Sequence, residues 1–213
     1  MNIKKLSKNK KSSTKDIIQE GQLLIVISGP SGVGKDAVVN RLKSLEPSIS
    51  TIITATTRKR RQYEKEGEHY IFLEEDEFLR KIQNKEFLEW AQVYQNKYGV
   101  LFKEIKKGFE KNSIILIKTD IQGAATIKQK LPQSVLIFLT PTSINDLENH
   151  LEKRKTESND HVLQRLNEAK KELQKIQIFD YQIENREGMI NATLSQLEAI
   201  ITIERKKFTT TYH

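Results

Sequence analysis

The sequence predicts an α/β fold, a three-layer sandwich whose central parallel sheet carries helices on both faces. Three observations lead there. Short β-branched runs recur along the chain, segments of helical period separate them, and a glycine-rich G-x-x-x-x-G-K stretch joins the first run to the first helix. Runs that are apolar at successive positions belong to strands buried on both sides, and strands alternating with helices build parallel sheets.

In chain order, residues 1–20 read as a basic tail, because Lys4, Lys5, Lys8, Lys10, Lys11 and Lys15 precede the first acid. Gln22 to Ser28 (QLLIVIS) is the first strand, and Ala37 to Leu45 is the helix that follows the loop. Ser113 to Ile117 (SIILI) and Ser134 to Leu139 (SVLIFL) are two more buried strands, with a helix over Gln122 to Lys130 between them and a weaker strand at Tyr181 to Glu184. Residues 49–100 break this rhythm with Thr-rich, basic and then aromatic segments, which marks an inserted subdomain. Residues 143–178 are helical and highly charged, with Leu147, Leu151, Val162, Leu166 and Leu173 as apolar markers and a polar break over Lys155 to Asp160. That composition suits a mobile cover. A final helix over Met189 to Lys206 completes one domain, residues 21–207, whose core comes from 21–48, 112–140 and 179–207.

The composition narrows the chemistry. With 213 residues and 37% hydrophobic content, the chain has material for one core. It contains no cysteine, which excludes disulfides, zinc-thiolate sites and a thiol nucleophile. No apolar run is longer than the five residues of Leu23 to Ile27, far short of the roughly 20 residues that span a bilayer, so a soluble protein without a membrane partner is expected. Lys and Arg total 36 against 28 Asp and Glu, a net charge of +8, which favours anionic ligands. No nucleic-acid reader motif accompanies that charge and aromatic residues are few, so nucleic acid is not the expected partner.

The loop itself reads Gly29-Pro30-Ser31-Gly32-Val33-Gly34-Lys35. Glycines let backbone N–H groups curl around a phosphate, the helix N-terminus adds partial positive charge, and the lysine reaches the terminal oxygens of a polyphosphate. Strand, loop and helix stand in the order this P-loop requires; a plain strand-to-helix turn needs no such lysine. The next residue is usually a Ser or Thr that helps to hold Mg²⁺, and here it is Asp36. A carboxylate ligates Mg²⁺ well, yet it sets a negative charge beside a polyphosphate.

Further segments extend the pattern: ATTRKRR followed by GEHYIF, FLEWAQ, the Tyr98-Gly99 pair, DIQGA at Asp120 to Ala124, LEKRKTES, QRLNEAKKEL and FDYQIEN. Together with GPSGVGK they resemble the guanylate kinases from about Leu23 to Lys206. The likeness is strongest to the plant plastid and mitochondrial type, which similarly reads GKDAV, DIQGAAT and RKTE. The resemblance implies a transfer of phosphoryl from ATP to GMP with Mg²⁺. It makes 49–100 a nucleoside-monophosphate-binding insert and 143–178 a helical lid.

Residue by residue, it assigns the loop Gly29, Pro30, Ser31, Gly32, Val33, Gly34, Lys35 and Asp36 to ATP, with Asn185 beside the adenine and Asp36 as a metal ligand. Arg58, Arg61, Tyr70 and Tyr98 match the residues that hold the GMP phosphate. Glu89 matches the acid that accepts from guanine N1–H and its amino group, Thr54 matches a hydroxyl that serves O6, and Asp120 matches an acid that organises the acceptor and Mg²⁺ water. Lys35, Arg58, Asp120 and the lid residues Arg154 and Arg165 form the implied catalytic set. Nothing matched reads the 2′-hydroxyl, so dGMP is expected as a substrate too.

Taken singly, these residues have plainer readings. Arg58 and Arg61 sit in a basic run that could be a solvated loop, Glu89 could be a surface acid, Tyr70 and Tyr98 core aromatics, Asp120 a helix cap. Arg154 and Arg165 could be surface charge. The chain also departs from the family: Lys118 stands where an Asp is usual, Val100 replaces a hydroxyl, His150 replaces a frequent arginine, and Gln62-Tyr63 replace a Pro-Gly turn. The Asp36 and Lys118 departures compensate in charge, so the two are expected to face each other. The rival function is a catalytically silent guanylate-kinase-like module for acidic or phosphorylated ligands. Monomer and homodimer are both left open, and the expected place is the cytoplasm, with a plastid or mitochondrion as the alternative if the basic tail is an address.

Overall fold

The computed structural model describes residues 17–93, 95–143, 146–147, 169 and 171–210. Its elements begin with β1 (Leu23–Ser28), α1 (Lys35–Leu45), β2 (Ile49–Ile52), β3 (Ala55–Thr56), β4 (Ile71–Phe72), α2 (Glu75–Gln83), β5 (Phe87–Val93) and β6 (Asn96–Leu101). They continue with α3 (Phe102–Lys111), β7 (Ile114–Lys118), α4 (Ile121–Lys130), β8 (Val135–Thr140), β9 (Tyr181–Glu184) and α5 (Ile190–Thr210).

The main sheet is parallel throughout, in the order β2-β7-β1-β8-β9. All six residues of β1 are buried, and alternate side chains serve opposite layers. Leu23, Ile25 and Ile27 pack with Val38 and Leu42 of α1 and Leu197 of α5. Leu24 and Val26 pack with Ile105 of α3 and Ala124 and Ile127 of α4. Each fully buried aliphatic side chain contributes roughly 1.5–3 kcal/mol, which is why unbroken apolar runs settle into the middle layer. Parallel strands put all their carboxyl ends on one rim, so the loop after β1 and Lys118, Thr119 and Asp120 at the end of its neighbour β7 emerge side by side.

A second sheet, in the order β4-β3-β6-β5, forms the insert. Its own small core joins Ala55, Phe78, Phe87 and Leu101, with the Phe78 and Phe87 rings stacked at 4.5 Å. Trp90 of β5 meets Phe78 edge-on at 6.5 Å and is 42% exposed. Among the described residues no helix is long and apolar enough to cross a membrane.

Some boundaries differ from the sequence expectation. The insert starts after residue 49, because Ile49–Ile52 pair with β7 as an edge strand of the main sheet. Ile17 and Ile18 pack against the main core, so the domain reaches back beyond residue 21. Helix α3 fills a stretch for which the sequence predicts no element; Phe102, Ile105 and Phe109 lie on its buried side at helical spacing. Of the charged segment 143–178, Leu147 and Ala169 join the main core and residues 171–173 are helical. Arg154, Arg165 and His150 lie outside the described residues.

Candidate active site

After Ser28 the chain turns through the glycine loop into α1, whose N-cap is Gly34 at φ 91°. Only glycine takes that left-handed backbone without strain, and a Cβ there would also stand 2.7 Å from Asn185 Nδ2. Asn185 donates from Nδ2 to the Val33 carbonyl at 2.8 Å and accepts from Thr193 Oγ1 at 2.8 Å. Its amide therefore straps the loop from behind, a structural duty beside the adenine contact expected of it. A cavity of about 310 Å³ opens there, lined among others by Gly34, Ala37, Asn185 and Gly188.

The Lys35 ammonium donates to the carbonyls of Gly29 and Pro30, the second at 2.9 Å. Burial pushes its pKa down to about 8; Glu172, Asp36 and Asp120 oppose the shift and Lys118 adds to it. Lys35 thus shares its surroundings with the rim of β7. There the expected pairing is present: Lys118 Nζ donates to Asp36 Oδ1 and, at 3.3 Å, to the Tyr70 hydroxyl. Burial works against the charge of Lys118, but Tyr70 and Asp36 outweigh it and its pKa rises.

The insert supplies the other wall. Arg58 makes a bidentate pair with Glu64, at 3.0 and 2.7 Å, and its guanidinium lies 5.3 Å from the centre of the Tyr70 ring. Tyr98 meets Tyr70 edge-on at 6.1 Å. For Glu64 burial raises the pKa, yet Arg58 and the Arg61 N–H more than reverse this, so its carboxylate stays charged and holds Arg58 in place. Arg61 differs from Arg58: it is exposed, and its Nη1 donates to the Tyr63 hydroxyl at 3.0 Å. Tyr63, one of the two residues standing in place of a Pro-Gly turn, is thus a contact of Arg61. Thr54 is buried and donates to the Lys118 carbonyl at 3.4 Å.

Glu89 lies at the bottom of the site, 2% exposed. Thr119 Oγ1 donates to its Oε1 at 3.3 Å, while its Oε2 is buried with no hydrogen-bond partner. Burial, helped by nearby Asp120 and opposed by Thr119 and Lys130, pushes its pKa up to about 8. Asp120 is the N-cap of α4, accepting from Gly123 N at 2.9 Å, so the plainer reading of this acid holds as geometry. It also influences both Lys35 and Glu89, which puts it between the loop and the insert. Gly123 permits the close approach of α4, since a Cβ there would lie 2.8 Å from Glu89 Oε2 and 2.2 Å from Thr119 Oγ1.

Sequence reasoning missed Glu64, Thr119, Lys130 and Glu172. Glu64 carried a readable signal, an acid closing a run of four basic residues in seven; the other three become visible only when distant segments meet.

This arrangement has a match among known proteins. The family model for guanylate kinase covers residues 21–204. The chain belongs to the guanylate kinase family. It is 38% identical over 188 residues to a guanylate kinase of Caldanaerobacter subterraneus, covering 88% of this chain and 90% of that protein. It is 40% identical over 186 residues to guanylate kinase 2, chloroplastic/mitochondrial, of rice, covering 87% of this chain and 65% of that one. Among solved structures, a guanylate kinase from Anaplasma phagocytophilum superposes with a TM-score of 0.70 at 31% identity, over 89% of each chain. As a member of this family the chain is a kinase, an ATP:GMP phosphotransferase.

Proposed function

We propose that this kinase joins ATP and GMP on the rim between β1 and β7, giving ADP and GDP, and that it also accepts dGMP. The observation that carries the reading is the buried, unpartnered Oε2 of Glu89 on the same rim as Lys35. Guanine offers N1–H and an exocyclic amine side by side to such an acid. Adenine offers neither, and would leave a buried acceptor unpaired at a cost of about 1–3 kcal/mol, more for a charged one.

In this reading Arg58, Tyr70 and Tyr98 bind the acceptor phosphate, with Arg61 on the outer edge, and Thr54 serves the base. The loop Gly29–Asp36 and Lys35 bind the donor polyphosphate, and the cavity beside Asn185 takes the donor's base. Catalysis is alignment of two nucleotides plus positive charge on the transferred group, with Arg154 and Arg165 closing over it. Among the described residues no cluster of three potential metal-ligating side chains occurs. Mg²⁺ carried by a nucleotide needs only one or two protein carboxylates besides phosphate oxygens. Asp36, 64% exposed at the end of the loop, is the carboxylate that would hold it, and the ion would neutralise phosphate charge there. The silent-module reading has nothing in its favour, since the loop glycines and Lys35 are in place. The cytoplasm is the proposed place of work; the similarity to the rice protein and the lysine-rich start support a plastid or mitochondrion as the alternative.

A coupled assay of ADP release with GMP, dGMP, AMP, CMP and UMP tests the proposal. GMP and dGMP should turn over and the others should not. Equal turnover of AMP, or none with GMP, would refute the assignment.

A further inference from the structure

Lys118 has no part in the roles assigned above, yet its ammonium touches both halves of the site. It contacts Asp36 at the end of the donor loop and the Tyr70 hydroxyl in the insert. We propose that Lys118 is a positioning residue that orients the Tyr70 hydroxyl toward the acceptor's phosphate while holding Asp36 on the donor loop. This rests on the reading of Tyr70 as an acceptor-phosphate contact.

The argument is one of donor and acceptor counting. An ammonium carries three N–H donors and no acceptor, so between Lys118 and Tyr70 the phenol oxygen must accept. The phenol has one proton of its own, and with its oxygen already serving Lys118 that proton is directed elsewhere. The adjoining anion site, flanked by Arg58 and Tyr98, is where a phosphate oxygen can take it. An aspartate at this position, as the family pattern leads one to expect, would have the opposite polarity. Being shorter and without a donor, it could not give the Tyr70 oxygen the hydrogen bond that Lys118 gives.

The backbone makes this arrangement firm. Lys118 ends β7 in register with Ile27 of β1, its carbonyl accepts from Thr54, and its side chain is only 20% exposed. The Tyr70 ring is flanked by two cations, with Arg58 at 5.3 Å and Lys118 at 5.1 Å from its centre. Asp36 fastens the far side of the ammonium, which leaves Lys118 little freedom to turn away from Tyr70.

Calorimetric titration of the full chain with GMP, without ATP or divalent cation, separates the cases. Lys118→Met should weaken GMP binding about tenfold in the Tyr70 protein and less than about twofold in a Tyr70→Phe background. Lys118→Arg, which keeps a donor-only cation, should restore binding to within about threefold of the parent. Equal losses in both backgrounds, or no loss in the Tyr70 protein, would overturn the proposal. If Tyr70→Phe alone left GMP affinity unchanged, the reading of Tyr70 would fall first, and that result is distinct. Melting temperatures accompany each variant. Should Lys118→Met melt early because the ion pair with Asp36 is gone, the pair Asp36→Ser with Lys118→Met carries the same comparison, since it removes both charges together.

Discussion

In the proposed reading the donor loop draws its contacts from consecutive positions, Gly29 to Asp36, and largely from backbone, whereas the acceptor wall gathers side chains of Thr54, Arg58, Tyr70, Glu89 and Tyr98 from the strands and loops between β2 and the end of β6. The loop needs only glycine conformations, one lysine and a helix start. The acceptor wall needs every contributing strand in register, because its contacts are single atoms of single side chains. Discrimination is therefore concentrated on the acceptor side and phosphate chemistry on the donor side, and substitutions in the two regions should fail in different ways.

Lys35→Met should have the largest effect, a fall in kcat of about 10³ with GMP affinity nearly intact, because it removes a charge aimed at the transferring group. Steady-state kinetics beside GMP calorimetry checks this; a comparable loss of GMP affinity would break the division between the two regions.

Glu89→Gln should come next, lowering kcat/KM for GMP by about 10² while leaving ATP affinity unchanged. Its pH signature sharpens the contrast. With a pKa raised to about 8, Glu89 is protonated at neutral pH, and guanine needs the ionised form. GMP affinity should thus climb about tenfold per unit as pH rises toward 8, and binding at pH 7 should release a proton, visible in buffers of different ionisation enthalpy. Stability runs the other way. The folded chain holds this proton between the unfolded value near 4.5 and about 8, so Glu89 makes the fold less stable as pH rises through that window. Glu89→Gln should flatten both profiles in a melting series from pH 5 to 9, and a slope that survives the substitution would assign it to another group.

Gly123→Ala should be milder, raising the KM for GMP roughly tenfold with kcat nearly unchanged, since its methyl would press on Thr119 and Glu89 from outside the reacting centre. A change in kcat alone would argue that α4 serves the donor instead.

The same contrast explains what could be read from the chain before folding. The strand at Leu23–Ser28, its loop and α1 are contiguous, so their periodicity and glycines announce them together. Strands β7 and β8 are legible because burial on both faces leaves unbroken apolar runs. By contrast, β2 carries Ser50 and Thr51 between its isoleucines, and its partner is β7, more than sixty positions on. Its place in the main sheet depends on a pairing that no local pattern encodes. Arg58, Tyr70, Glu89 and Tyr98 were legible as family positions, but the Glu64 clamp on Arg58, the bare oxygen of Glu89 and the turn of Arg61 toward Tyr63 depend on three-dimensional neighbours. The Asp36–Lys118 pairing was legible through charge alone, because two departures that cancel invite a shared location.

Trp90 is the only tryptophan in the chain, and it occupies the strand position next to Glu89 while its ring borders solvent. Light absorbed by that indole reports from the insert and from nowhere else in the molecule. Changes in the packing of the insert can therefore be followed by the emission of this one indole, without a dye.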